Sequence, residues 1–155
     1  MRKISVLFVC MGNICRSPMA EAVFKNMLVQ KGLSDRFLVA SAATDSWHLG
    51  QPPHRGTLAE LARHKITLTG KISQKLTIQD IKTFDYIVLM DDENVEDVKR
   101  YFGVTLPRLL DYTPQSTTKE VPDPYYNGNF SEVYRLVTLG CQGLLETIID
   151  KEFQD

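Results

Sequence analysis

The stretch Val9-Cys10-Met11-Gly12-Asn13-Ile14-Cys15-Arg16-Ser17-Pro18 constrains this chain more than any other, because it joins two patterns that need different backbones. Residues Ile4 to Val9 are β-branched, aromatic and apolar, as a buried strand requires, whereas Ser17-Pro18-Met19-Ala20-Glu21 opens a helix. Ser17 is the candidate N-cap and Pro18 the first helical residue, with Met19, Ala22, Val23 and Met27 on the apolar face. Gly12 and Asn13 tolerate positive φ, so the loop between strand and helix can curl its backbone N–H groups inward. The helix end adds partial positive charge, and phosphate is the natural ligand of such a cradle.

The loop lacks the Gly-Lys-Ser/Thr ending of a nucleotide-binding loop and carries instead Cys10 at one rim and Arg16 at the other. The inward amides, the helix end and Arg16 all favour a thiolate at Cys10. Arg16 offers a planar fork able to hold two phosphate oxygens. The expected phosphate contacts therefore run through Met11, Gly12, Asn13, Ile14, Cys15, Arg16 and Ser17. A free cysteine ending a strand is, in isolation, more often a packed core residue; the pattern around Cys10 reverses that reading.

Cys10 to Arg16 matches the Cys-x5-Arg signature of cysteine-based phosphatases, and Val9-Cys10-x-Gly-Asn-x-Cys-Arg-Ser-Pro-x-Ala-Glu resembles the low-molecular-weight protein tyrosine phosphatases in particular. Later stretches resemble the same family: Ser41-Ala42-Ala43-Thr44, Phe84-Asp85-Tyr86-Ile87 with Met90-Asp91, and Asp123-Pro124-Tyr125-Tyr126. The chain departs from the family at His54, where many members carry an aspartate, and at Gly70, where some carry a histidine in the loop network. These departures bear on the hydrogen bonds that support the loop, not on the nucleophile.

With 155 residues and 43% apolar content, the sequence fits one domain, residues 1–155, with a full core. The apolar run after Met1-Arg2-Lys3 is too short for a signal peptide, and no run approaches membrane-spanning length. Three cysteines argue against a disulfide framework and for a reducing compartment. A soluble cytoplasmic protein is the expectation. A net charge of −1 without a basic run gives no footprint for nucleic acid or a membrane surface. His48, His54 and His64 show no metal-ligand spacing and read as surface residues, so no metal is implied.

Phe37 to Ala42 gives a second strand, and Thr57 to His64 a helix with Leu58, Leu61 and Ala62 on one face. Thr77 starts a short helix, Tyr86 to Met90 is a buried strand, and Asp91-Asp92-Glu93-Asn94 opens a helix to about Tyr101. Pro107 to Tyr112 reads as a fourth, edge-like strand, and a last helix covers about Phe130 to Asp150 with Cys141 in its core face. The predicted fold class is α/β: a doubly wound, four-stranded parallel sheet of order 2-1-3-4 with helices on both faces, and ligands at the carboxyl ends of the strands.

The resemblance assigns Cys10 as nucleophile, Arg16 as phosphate clamp and Asp123 as general acid. It places Asn13, Ser17 and Ser41 in a network that orients the loop; from the residues alone, Ser41 equally well just ends a strand. Trp47 reads as a lid or as an anchor packing its loop down, and the resemblance favours a wall of the substrate cleft. Met11, Trp47, Tyr125 and Tyr126 are expected to line that cleft around a phosphotyrosine arm of a protein substrate, with no cofactor required. Asp91 offers a weak further contact to the loop. Three rivals share parts of the pattern. An arsenate reductase needs further downstream thiols, and only Cys141 follows; a phosphocysteine carrier of a sugar-transport system does not need both Arg16 and Asp123; a phosphate-dependent binding module does not need nucleophile, arginine and acid together. Within the family, protein arginine phosphatases carry threonine at the position of Ile14.

Overall fold

The computed structural model describes residues 2–153; Met1, Gln154 and Asp155, the ends of the predicted domain, lie outside them. Strand β1 (Ile4–Cys10) is followed by helix α1 (Arg16–Gln30), strand β2 (Phe37–Ala43), helices α2 (Arg55–Arg63) and α3 (Ile78–Thr83), strand β3 (Tyr86–Leu89), helix α4 (Asp92–Phe102), the short helix α5 (Pro124–Asn127) and the long helix α6 (Phe130–Glu152). The strands are parallel, in the order β2-β1-β3, with Val6 opposite both Val39 and Tyr86.

Side chains of a strand point alternately to its two faces, and here both faces are apolar because both are covered. Val6, Phe8, Val39 and Val88 join Met19, Phe24, Val137, Leu144 and other residues of α1 and α6 in one core. Leu7, Val9, Ala42, Ile87 and Leu89 join Val98 of α4 in a second core on the opposite face. The chain order reverses at β1, so a crevice opens at the carboxyl ends of β1, β2 and β3. Cys10, Thr44 and Asp91 stand there, at or just beyond those ends.

The sheet has three strands, not four. Pro107 to Tyr112 makes one parallel bridge, Arg108 to Leu89, and then turns into a 3-10 helix over Leu109–Tyr112. Leu109 and Leu110 are fully buried, and the segment presses onto α6 where that helix has no side chain. A Cβ on Gly140 would lie 2.4 Å from Leu109 Cγ, and one on Gly143 would lie 2.0 Å from the Tyr112 carbonyl oxygen. A short segment centred on Leu109-Leu110 reads alike as a buried strand or a buried turn; the glycines on α6 favour the turn.

Two helix starts and one helix face also differ from expectation. Helix α1 begins at Arg16 with Cys15 as its N-cap residue, so Ser17 lies inside the helix and its hydroxyl is available elsewhere. Helix α2 buries Thr57, Glu60 and Leu61, leaving Leu58 and Ala62 exposed. The His54 side chain caps it, accepting the Gly56 N–H at 2.9 Å. A buried face carrying a threonine and a glutamate has no apolar signature: Thr57 is spent on the Cys15 carbonyl and Glu60 on Arg63 and His64.

Candidate active site

At the end of β1 the backbone turns through a single left-handed residue, Asn13, with φ 55°. Asparagine tolerates this region better than most residues. Gly12 does not use it, and is needed for a different reason: a Cβ there would lie 2.9 Å from the His48 ring. The turn wraps around the Cys10 sulfur, which is 2% exposed as a residue and receives the Asn13 N–H at 3.3 Å and the Ser17 N–H at 3.5 Å. Ser17 Oγ stands 3.1 Å from the same sulfur. Among the described residues, the N–H groups of Gly12, Ile14, Cys15 and Arg16 have no protein acceptor. Loop and helix start thus present a set of donors around one sulfur, the arrangement that favours an anion.

The loop is braced on its outer side. Asn13 Nδ2 donates to Ser17 Oγ at 2.7 Å and to Ser41 Oγ at 2.9 Å, while its Oδ1 accepts the Gln74 N–H at 3.1 Å. Ser41 Oγ donates to Glu21 at 2.6 Å, and Ser73 Oγ donates to the Gly12 carbonyl at 2.9 Å. All of Asn13, Ser17, Glu21 and Ser41 are buried. Gly70 supplies no side chain to this network; the neighbouring Lys71, Ser73 and Gln74 bond it instead. Cys15 faces away from this network, and burial, with the nearby charges of Cys10 and Asp123, pushes its thiol up to about 12.

Arg16 is held from behind and open in front. Its Nη1 donates to Asp91 Oδ2 at 2.5 Å and to the Val121 carbonyl at 3.0 Å. Its Nε is buried without a partner, and its Nη2 lies 3.6 Å from Asp123 Oδ2, an ion pair too long for a hydrogen bond. One edge of the fork, Nε with Nη2, is therefore free for two oxygens of a ligand. Burial works against the guanidinium's charge, but Cys10, Asp91 and Asp123 outweigh it and raise the pKa above the usual arginine value.

Asp123 reaches this edge because its loop is pinned two residues earlier, where the Val121 N–H donates to the Met90 carbonyl at 2.9 Å. Asp123 then caps α5, its Oδ1 accepting the Tyr125 N–H at 3.0 Å, with Pro124 as the first helical residue. Cys10, Met11, Gly12, Ile14, Cys15, Arg16, Trp47, Asp123, Tyr125 and Tyr126 line one cleft of about 220 Å³, together with His48. Trp47, 74% exposed, stands at the rim and does not pack its loop down. Asn13, Ser17 and Ser41 lie behind the wall, not on it.

His48, Asp91 and Glu21 are the site residues that sequence reasoning passed over or underrated. His48 lines the cleft with its ring centroid 5.5 Å from that of Tyr125, and His54 packs at 5.8 Å from the same ring, so neither is a detached surface residue. Neither shows a sequence signal that separates it from an ordinary loop histidine. Asp91 is legible only as the cap that it also is, accepting the Asn94 N–H at 2.8 Å. Glu21 had a signal, since it falls four residues after Ser17 on one helix face. Among the described residues, no group of three or more His, Cys, Asp or Glu side chains could hold a metal ion.

Comparisons with known proteins agree with this geometry. Residues 5–154 match the family model described as low molecular weight phosphotyrosine protein phosphatase. The chain is 47% identical over 149 residues to the low molecular weight protein-tyrosine-phosphatase YfkJ of Bacillus subtilis, covering 94% of this chain and 96% of that one. It is 42% identical over 149 residues to PtpA of Staphylococcus aureus strain MRSA252, covering 94% of each. The crystal structure of YfkJ superposes with a TM-score of 0.95 at 45% identity over 98% of both chains. That of a Drosophila arginine phosphatase superposes with a TM-score of 0.85 at 31% identity, covering 92% of this chain and 96% of that one. A loop that wraps one cysteine and ends in an arginine, on a fold shared along nearly the whole chain, establishes that this protein belongs to the low-molecular-weight phosphotyrosine protein phosphatases, hydrolases that act through a cysteine nucleophile.

Proposed function

We propose that the chain, acting as a single domain, hydrolyses phosphotyrosine in protein substrates through a phosphocysteine on Cys10, with Arg16 as clamp and Asp123 as acid and then base. The observation that carries this reading is the convergence of three groups on one cleft: a sulfur receiving two amide N–H groups, the free Nε–Nη2 edge of Arg16, and Asp123 3.6 Å from that edge. In the first step the Cys10 thiolate attacks phosphorus, an S–P bond forms, and the P–O bond to the phenol breaks. Asp123 gives its proton to the departing phenolate oxygen. The loop amides and Arg16 hold the equatorial oxygens, whose charge they match best in the five-coordinate transition state. In the second step water attacks phosphorus, its proton passes to Asp123, and the thiolate leaves with inorganic phosphate released.

Depth supports an aryl substrate. The sulfur is almost inaccessible, at the base of a cleft whose rim carries Trp47, Tyr125 and Tyr126, so phosphorus reaches it only on a long rigid arm. Each ring contact along that arm contributes about 0.5–1.5 kcal/mol. Phosphoarginine is the second reading, favoured by the similarity to an arginine phosphatase. Against it stands Ile14, an apolar side chain in the cleft wall without a hydroxyl for water or the phosphoramidate nitrogen. A cytoplasmic setting belongs to the same proposal: all three cysteines are free thiols, and no described helix is long and apolar enough to cross a membrane. The test is kcat/KM on phosphotyrosine, phosphoarginine and phosphoserine, side by side, in the parent and in Ile14→Thr. Phosphotyrosine should lead in the parent, and Ile14→Thr should narrow its lead over phosphoarginine. A parent that prefers phosphoarginine overturns the tyrosine assignment and leaves the phosphocysteine route standing.

A further inference from the structure

Behind the phosphate loop, away from the cleft, lies a charged cluster that the chemistry above does not use. Glu21 is 5% exposed and accepts from Ser41 Oγ at 2.6 Å and from Lys25 Nζ at 2.7 Å. Lys71 donates its Nζ to the Ser41 carbonyl at 2.8 Å and lines a surface depression with Glu21 and Lys25. A buried carboxylate is costly without compensating charge and hydrogen bonds. Here the Lys25 ammonium and a serine hydroxyl bond it, and the Lys71 charge acts on it from nearby.

The donor inventory fixes the direction of the bonds around Asn13 and Ser41. Asn13 Oδ1 takes the Gln74 N–H, so its Nδ2 is the side that gives to Ser17 and Ser41. The Ser41 lone pair receives Asn13, so the Ser41 hydroxyl proton goes to Glu21. Ser17 Oγ, already receiving from Asn13, has its own proton to give to a Cys10 thiolate at 3.1 Å. An unbroken chain of hydrogen bonds thus links Glu21 to the reacting sulfur through Ser41, Asn13 and Ser17.

We propose that Lys71 is a positioning residue for the Cys10 reaction: its ammonium ties down the Ser41 backbone and sets a positive charge beside Glu21, and through Ser41 and Asn13 this holds the Ser17 hydroxyl on the sulfur. Burial pushes the Lys71 pKa below the usual lysine range, while Glu21 pulls it back up, Lys25 opposes this, and the charge of Cys10 adds to the upward pull. The lysine is thus within electrostatic reach of both ends of the chain of bonds. It stands one residue after Gly70, the position that lacks the histidine of some relatives. This proposal rests on Cys10 as the nucleophile.

The test compares Lys71→Met, Lys71→Gln and Lys71→Arg with the parent on p-nitrophenyl phosphate. The control is Lys75→Met, whose ammonium sits over the Tyr101 ring instead. Lys71→Met and Lys71→Gln should both lower kcat about tenfold with KM changed less than about twofold, because the interaction acts on the reacting sulfur more than on the bound phosphate. Glutamine retains a donor for the Ser41 carbonyl, so its loss isolates the charge. Lys71→Arg should recover most of kcat, and Lys75→Met should match the parent. In a Ser41→Ala background Lys71→Gln should cost little more, because the path it acts through is already cut. Parent-like kcat in Lys71→Gln, no recovery with arginine, or additive losses with Ser41→Ala would overturn the proposal. A parent that turns over while Cys10→Ser turns over equally well would instead overturn the nucleophile assignment beneath it.

Discussion

Replacing Asp91 should separate two roles that one carboxylate holds. Its Oδ2 fixes Arg16 Nη1 at 2.5 Å, and its Oδ1 accepts the Asn94 N–H at 2.8 Å to cap α4. Asp91→Ala removes both, whereas Asp91→Ser keeps a hydroxyl for the cap and is too short for the guanidinium. Loss of a cap costs about 1 kcal/mol. Breaking a buried ion pair costs up to about 3–5 kcal/mol. The Arg16 side chain is 3% exposed, but the Val121 carbonyl still holds the same nitrogen and Asp123 remains nearby, so about 2 kcal/mol, the range of a charge-assisted hydrogen bond, is the better figure. Asp91→Ala should therefore lose about 3 kcal/mol in urea unfolding and Asp91→Ser about 2 kcal/mol, by the sums of those two terms. Both should lose kcat/KM on p-nitrophenyl phosphate by about 10- to 100-fold, since a displaced fork no longer meets the phosphate oxygens. Parent-like kcat/KM in Asp91→Ser would refute the claim that the carboxylate positions Arg16.

Asp123→Ala should slow phosphotyrosine or phenyl phosphate far more than a substrate with a good leaving group, by about 100-fold or more in relative kcat; equal losses on both would remove Asp123 from the general-acid role. Gly143→Ala should destabilise by about 3 kcal/mol or more, because its Cβ would lie 2.0 Å from the Tyr112 carbonyl oxygen and backbone must move. Gly128→Ala, in open space at φ 72°, should cost only about 1–2 kcal/mol. Stability should fall above about pH 9. Burial pushes the Cys15 thiol from 9.0 to about 12 and raises that of Cys141 further, so between those values the unfolded chain sheds protons that the folded one retains. Each such thiol makes unfolding easier by up to about 1.4 kcal/mol per pH unit; a Cys141→Ala variant whose stability falls as steeply from pH 9 to 11 as the parent's would contradict this.

The parts of this molecule that sequence reveals are those where one residue type has one use. The apolar run of β1, the capping box of Thr77 with Asp80, and the periodic Val133, Val137, Cys141, Leu144 and Ile148 of α6 each announce their element. So does the loop, because glycine, asparagine, cysteine and arginine at that spacing meet one anion and little else. What stayed hidden depends on neighbours distant in sequence. Leu109-Leu110 turns instead of extending because glycines thirty residues later let it approach α6. Ser17 serves the sulfur and not the helix start, and α2 hides Thr57, whose partner, the Cys15 carbonyl, lies on another segment. Asp91 looks like a cap because it is one; only the fold brings Arg16 to its other oxygen.

The most direct test of the central claim is trapping of the covalent intermediate. Asp123→Ala, mixed with excess p-nitrophenyl phosphate and quenched in acid within the first turnovers, is digested and analysed by mass spectrometry for a phosphorylated residue. Loss of the acid–base group slows the attack of water more than the expulsion of nitrophenolate, so the account predicts a phosphoryl adduct on Cys10, together with a burst of nitrophenolate approaching one equivalent. No burst and no adduct, or an adduct on any residue other than Cys10, would contradict it.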